Sequence, residues 1–178
     1  MIEKLTLFEK IDLLIEEKKK FLKDIAGYPY LIDIRAKENQ WTSQELNKLK
    51  TDYAWLPPFY FDFIERYDSL GLGWAVFFGS EKANVITIWE EIDYWQENMR
   101  DQYFPVAKDA DGSIFVLNRQ GETYLMHKHD MDWENPEYIA ESLEHFIEDC
   151  LIGKRYAEFN KIEKETFYSF LEKQGWTK

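Results

Sequence analysis

Three histidines, one cysteine and a large excess of carboxylates bound the chemistry open to this chain. Two of the histidines fall two apart in His127-Lys128-His129-Asp130, so a strand would present both on one face. With Asp130, Asp132 or Glu134 as a third donor, the pair has the composition of a metal site, and with it of a metal-dependent enzyme. No Cys or His pair elsewhere completes that site at the usual spacing, and a polar strand end accounts for the same residues. Asp109-Ala110-Asp111-Gly112 opens like a calcium loop. The loop then fails, with Ser113 at its fifth position, Ile114 where a glycine is needed and Gln120 where a bidentate glutamate is needed. A hairpin turn fits those residues better. Ser142 and His145 are three apart and would meet on a helix, but no glycine elbow exposes the serine. The runs Glu90-Glu91-Asp93 and Asp130-Asp132-Glu134 would need a fixed separation in a cleft to work as acid and base. In a chain this acidic, such neighbours arise by chance. The residues therefore assign no catalytic group, no metal and no cofactor.

Two segments instead have the composition of a binding surface. Trp89, Glu90, Glu91, Asp93, Tyr94, Trp95 and Glu97 alternate rings with acids, and Asp130, Asp132, Trp133 and Glu134 do the same. Aromatic anchors rimmed by charge suit a protein interface. The formal net charge is -12, from 34 acidic and 22 basic residues. Such a chain lacks the basic face that nucleic acid demands, and it attracts basic partners. Lys18-Lys19-Lys20 follows Glu16-Glu17 and reads as a solvated helix face. Cys150, alone, can form no internal disulfide and fits a small buried hydrophobe. No secretory pattern opens the sequence, and no apolar run reaches the ~20 residues of a membrane span. A cytoplasmic protein is the expectation.

The elements that must carry these residues read as follows. Apolar spacing predicts a helix over 5–25, stopped at Gly27. Tyr30 to Arg35 reads as a short strand. Thr42 with Glu45 three residues on has capping-box form. Pro57 and Pro58 mark the start of a helix with Phe59, Tyr60, Phe63, Ile64 and Tyr67 on one face, which Gly71 and Gly73 close. Trp74 to Phe78 reads as a buried strand, Val85 to Ile88 as a strand or extended lead-in, and Glu90 to Met99 as a helix. Phe104 to Ala107, Ile114 to Leu117 and Thr123 to His127 form an antiparallel meander, with Pro105 placed at an edge or strand end. Asn135-Pro136 opens a helix carrying Ile139, Leu143, Phe146, Ile147, Cys150 and Leu151, and a last helix spans 154–173. The fold class is α+β, a twisted antiparallel sheet of about 4–6 strands with helices packed around it. It forms a single domain over 1–178, with a core at about 42–152 and a helix added at each end.

Three segments together resemble the SUKH superfamily: Leu56-Pro-Pro-Phe-Tyr-Phe-Asp-Phe-Ile-Glu-Arg-Tyr67, Tyr103 to Leu117, and Ile139 to Ile147. The first looks like that group's signature helix, the second its proline, acidic-glycine turn and apolar strand, the third its closing helix. The glycine-rich loop of the family is reduced here to Asp68-Ser69-Leu70-Gly71-Leu72-Gly73, and the stretch 81–99 is unusually aromatic. The resemblance implies an α+β fold and protein binding without catalysis. Its leading implication is an immunity protein that neutralises a bacterial toxin, such as a nuclease, by stoichiometric capture. The alternative it implies is an intracellular adaptor or regulatory protein of the same fold.

Overall fold

The computed structural model describes residues 5–27, 31–37, 39–82, 87–95, 97–127, 136–159 and 167–178. Helix α1, Leu7–Lys23, starts at a capping box. The Thr6 hydroxyl accepts the Glu9 N–H, and the Glu9 carboxylate accepts the Thr6 N–H at 2.7 Å. Strand β1, Ile34–Lys37, begins later than the expected Tyr30, and residues 28–30 lie outside the described set. Helix α2, Ser43–Asp52, has the expected Thr42–Glu45 capping box. Helix α3, Pro58–Arg66, starts on the two prolines and buries Tyr60, Phe63 and Ile64.

The stretch after α3 is not the loop its glycines imply. Asp68–Leu72 forms strand β2, fully buried, and Gly71 lies inside it. The Asp68 carboxylate makes this possible. It is inaccessible to solvent and accepts the N–H groups of Gln40 at 3.1 Å and Ser80 at 2.8 Å and the Ser80 hydroxyl at 2.6 Å. A buried carboxylate is tolerable because hydrogen bonds replace its lost hydration. Ser69 and Leu70 oppose Ala36 alone, a bulge that places Ser69 at φ 51°.

Strand β3 is Ala75–Phe77. Helices α4, Ile88–Tyr94, and α5, Glu97–Arg100, replace the single helix expected from Glu90. Thr87 caps α4 through Glu90, so Ile88 is helical rather than the end of a strand; Val85 and Ile86 lie outside the described residues. Strands β4, Tyr103–Lys108, β5, Ile114–Asn118, and β6, Thr123–Met126, are the expected meander. Their turns use Gly112 at φ 91° and Gly121 at φ 84°, where only glycine fits without strain. Pro105 is interior to the sheet, not at its edge. Strand β3 ends at Phe77 opposite Ala107, so Pro105 has no ladder partner on that side, and on the other side its pairing with Val116 of β5 is followed by a register shift before Ala107.

The described residues form a seven-stranded antiparallel meander in the order β1 to β7, more strands than the sequence predicts. The seventh strand corrects the expected helix at Pro136: β7 is Glu137–Ala140, paired with β6, and Ile139 sits on it. The helical turn α6, Leu143–His145, begins only at Ser142 and widens into a π-helix over Phe146–Leu151. The 154–173 helix is interrupted: α7 is Tyr156–Phe159 and α8 is Phe167–Gln174, with 160–166 outside the described residues.

Opposed residues place Phe77, Ala107, Phe115 and Leu125 on one sheet face. There Phe63 of α3 meets Phe77 at 4.7 Å, Tyr60 meets Phe104 at 5.3 Å, and Phe146 meets Phe115 at 4.6 Å. Helices α4 and α5 pack along β4. The N- and C-terminal parts close over the π-helix. Lys10 is buried, 7% exposed, and its ammonium reaches Glu148 at 2.6 Å and lies 5.5 Å from the Trp176 ring centre. No helix among the described residues is long and apolar enough to cross a membrane.

Candidate functional site

Helix α4 separates the residues that the sequence groups together. Trp95 is 5% exposed and donates its indole N–H to Glu91 at 2.8 Å, so this ring is core and that acid is its partner. Trp89 is half-buried, with the Lys48 ammonium 4.3 Å from its ring centre. Glu90 is exposed, but its carboxylate accepts the Thr87 N–H at 3.0 Å and so holds the helix start. Asp93 is exposed, and Tyr94 beside it is 79% exposed. The ring that α4 offers to solvent is thus Tyr94, flanked by Asp93, and not either tryptophan. The helix phase decides this: Ile88, Ile92 and Trp95 share the inward face and leave Asp93 and Tyr94 outside. Asp130, Asp132, Trp133 and Glu134 lie outside the described residues, as does His129.

The chemistry considered for the histidines resolves into local pairs. His127 Nε2 lies 2.9 Å from Glu137 Oε2, tying β6 to the edge strand β7. His145 Nδ1 lies 3.0 Å from Ser142 Oγ and 3.1 Å from Glu141 Oε1. A nucleophile, base and orienting acid need the hydroxyl and the carboxylate on opposite ring nitrogens. Here both approach the same one, and the Ser142 hydroxyl accepts the His145 N–H as a helix cap. In the β4–β5 turn Asp109 accepts the N–H groups of Asp111, Gly112 and Ser113 at 2.9–3.1 Å. Asp111 accepts the Ser113 N–H and hydroxyl. Both carboxylates face into their own turn. Burial, with Asp111 beside it, pushes the Asp109 carboxyl above its ordinary value.

Next to α4 the fold assembles a surface that no local pattern marks. The end of α2 (Thr51, Asp52) and the turn that follows it (Tyr53, Ala54, Trp55), the end of α5 and the turn after it (Arg100, Asp101) and the β5–β6 turn (Arg119) line an open groove of about 620 Å³. Arg100 donates its Nε–H to the Trp95 carbonyl at 2.9 Å and a terminal N–H to the Asp93 carbonyl at 3.0 Å, which fixes the guanidinium against the end of α4. Arg119 donates its Nε–H to the Asp101 carbonyl at 2.6 Å, and its guanidinium lies 5.3 Å from the Trp55 ring centre. Tyr53 packs edge-on against Phe104 at 4.8 Å. Burial pushes its hydroxyl above the ordinary phenol range; the Arg100 guanidinium pulls it back, while Asp52 and Asp93 add to the rise. Tyr, Trp and Arg are the side chains that most often dominate protein interfaces.

No protein-family model matches this chain, and no curated protein matches it.

Proposed function

We propose that the protein is a binding module that transforms no substrate and acts by covering a protein partner, as an immunity-type protein capturing a basic toxin domain in the cytoplasm. The observation that carries this reading is the joint surface at one end of the sheet. There exposed Asp52 and Asp101 line a groove with Tyr53, Trp55, Arg100 and Arg119, and Arg100 ties it to the end of α4, where Asp93 and Tyr94 are exposed. Acids on the rim, in a chain of net charge -12, speed encounter with a basic face. The rings and guanidiniums set the dissociation rate once water is expelled. The SUKH resemblance supports the same reading. Capture tight enough to protect a cell calls for a dissociation constant of about 1 nM, roughly -12 kcal/mol.

The test is co-expression with the protein encoded by the adjacent gene, followed by co-purification and a toxicity assay. A stable stoichiometric complex that is weakened at least tenfold by Tyr94→Ala supports the proposal. A chain that neither binds nor protects against that neighbour, or a complex indifferent to Tyr94 and Asp93, refutes it.

A further inference from the structure

Within an acidic protein, the groove beside α4 gathers two arginines between its aspartates. Of the five arginines, Arg66 pairs with Asp12 and Arg155 with Glu158, and Arg35 stands on β1, outside the groove. Arg100 and Arg119 form no ion pair among the described residues, although Asp52 and Asp101 line the same groove. Their guanidinium N–H groups donate instead to backbone carbonyls: Trp95 and Asp93 for Arg100, Asp101 for Arg119. Those bonds hold the Nε side of each fork, and Trp55 supports the plane of Arg119. A guanidinium carries five N–H donors, so each arginine keeps terminal donors that these bonds do not use. Two cationic forks fixed in advance at one groove match a carboxylate, which accepts bidentate pairs in a plane.

We infer that the Arg100–Arg119 groove receives a carboxylate of the protein partner, from an acidic side chain or a chain terminus. This deepens the proposed function and rests on it. The acids on the rim would orient the basic face of the partner, and the notch between them would accept its one complementary acid. Charge of both signs on each side fixes register, because a shifted docking would set like charges together.

The experiment is a titration of the full-length ¹⁵N-labelled protein, read at the arginine Nε–H and tryptophan indole N–H signals. The probes are an acetylated, amidated tetraglutamate, a tetra-alanine with a free carboxyl end, an acetylated, amidated tetralysine, and inorganic phosphate. The net charge of the chain repels tetraglutamate, so binding that survives reports the groove rather than the overall field. The expected result is that one of the two carboxylate probes shifts the Arg100, Arg119 and Trp55 signals together, and the choice between the two names the source. Arg119→Gln should weaken that binding about fivefold, with Arg119→Lys intermediate, because lysine keeps the charge and loses the fork. Arg119 is exposed, so its variants keep the fold, and an unchanged melting temperature verifies this. The inference is overturned if neither carboxylate probe shifts these signals at about 10 mM, if only phosphate or tetralysine does, or if Arg119→Gln binds as tightly as the wild type. A complex with the partner that persists and depends on Tyr94 while this titration fails would sink the carboxylate notch alone and leave the binding role standing.

Discussion

Tyr94 and Trp95 are chain neighbours with opposite expected behaviour, and truncating each to alanine separates the two. Trp95 is 5% exposed, packs with α4 against β4, and gives its indole N–H to Glu91. Trp95→Ala removes roughly 200 Å² of aromatic surface from the interior, about 5 kcal/mol at 25 cal per Å². Large aromatic truncations measured in cores cost about 3–5 kcal/mol, so about 4 kcal/mol is the expectation. For a chain of this length each kcal/mol lowers the melting temperature by about 2–4 °C, which gives a fall of about 8–16 °C. Tyr94 is 79% exposed and should leave stability within about 0.5 kcal/mol, a shift under about 2 °C. The assay is thermal denaturation followed by circular dichroism, with urea melts to check that the transition stays cooperative. Partner binding should show the reverse order per unit of stability lost: Tyr94→Ala weakens the complex at unchanged melting temperature. A Trp95→Ala protein that melts within 2 °C of the wild type would refute the assignment of that ring to the core. A Tyr94→Ala protein that melts as early as the Trp95 variant would refute the outward placement of α4.

Other expectations follow from the same packing. Gly153→Ala should destabilise by roughly 3 kcal/mol or more, because the added methyl would meet the Glu148 carbonyl oxygen at 2.1 Å at the end of the π-helix; a soluble variant with an unchanged urea midpoint would count against that geometry. Lys10→Met should cost roughly 1–2 kcal/mol, less than a fully buried pair because Glu148 keeps 30% exposure, and the double change Lys10→Met with Glu148→Leu should recover most of it in a double-mutant cycle. Cys150 is fully buried and its thiol is pushed up to about 11 by burial, so a thiol reagent at pH 8 should label it only as fast as the protein unfolds; rapid labelling in native buffer would place the sulfur at the surface. At Glu45, burial pushes the carboxyl up, but hydrogen bonds from the Thr42 hydroxyl and the Glu81 and Thr42 N–H groups leave it below its ordinary 4.5. A depressed carboxylate contributes stability that is complete above 4.5 and lost as pH falls through the lower folded value. The melting-temperature gap between wild type and Glu45→Gln should therefore be present at pH 7 and close towards pH 3, and a gap that widens on acidification would contradict the capping-box geometry.

Local chemistry carried much of the fold into view. The Thr42–Glu45 box, the two prolines before α3, the glycine turns flanking β5, and the meander of β4, β5 and β6 depend on residues a few positions apart, so their spacing reveals them. The α+β class and the single buried cysteine follow from the same periodicities. Strands β2 and β7 were hidden because each depends on a distant partner. Asp68, Ser69 and Gly71 look like a loop until Gln40 and Ser80 satisfy the Asp68 carboxylate. Ile139 falls in helical phase with Leu143, Phe146 and Ile147, yet pairing with β6 draws the chain into a strand before Ser142 starts the helix.

The sequence alone determined that acids and rings would concentrate between Trp89 and Trp95, since composition is a local property. Which ring faces water was a matter of helix phase against β4, and packing assigned it to Tyr94. The groove was beyond any local reading. Its arginines stand at 100 and 119 and its aromatics at 53 and 55, and only the close of the sheet brings the end of α2, the end of α5 and the β5–β6 turn to one place. Side chains that far apart leave no periodic trace, because proximity between them is created by strand pairing and not by chain spacing.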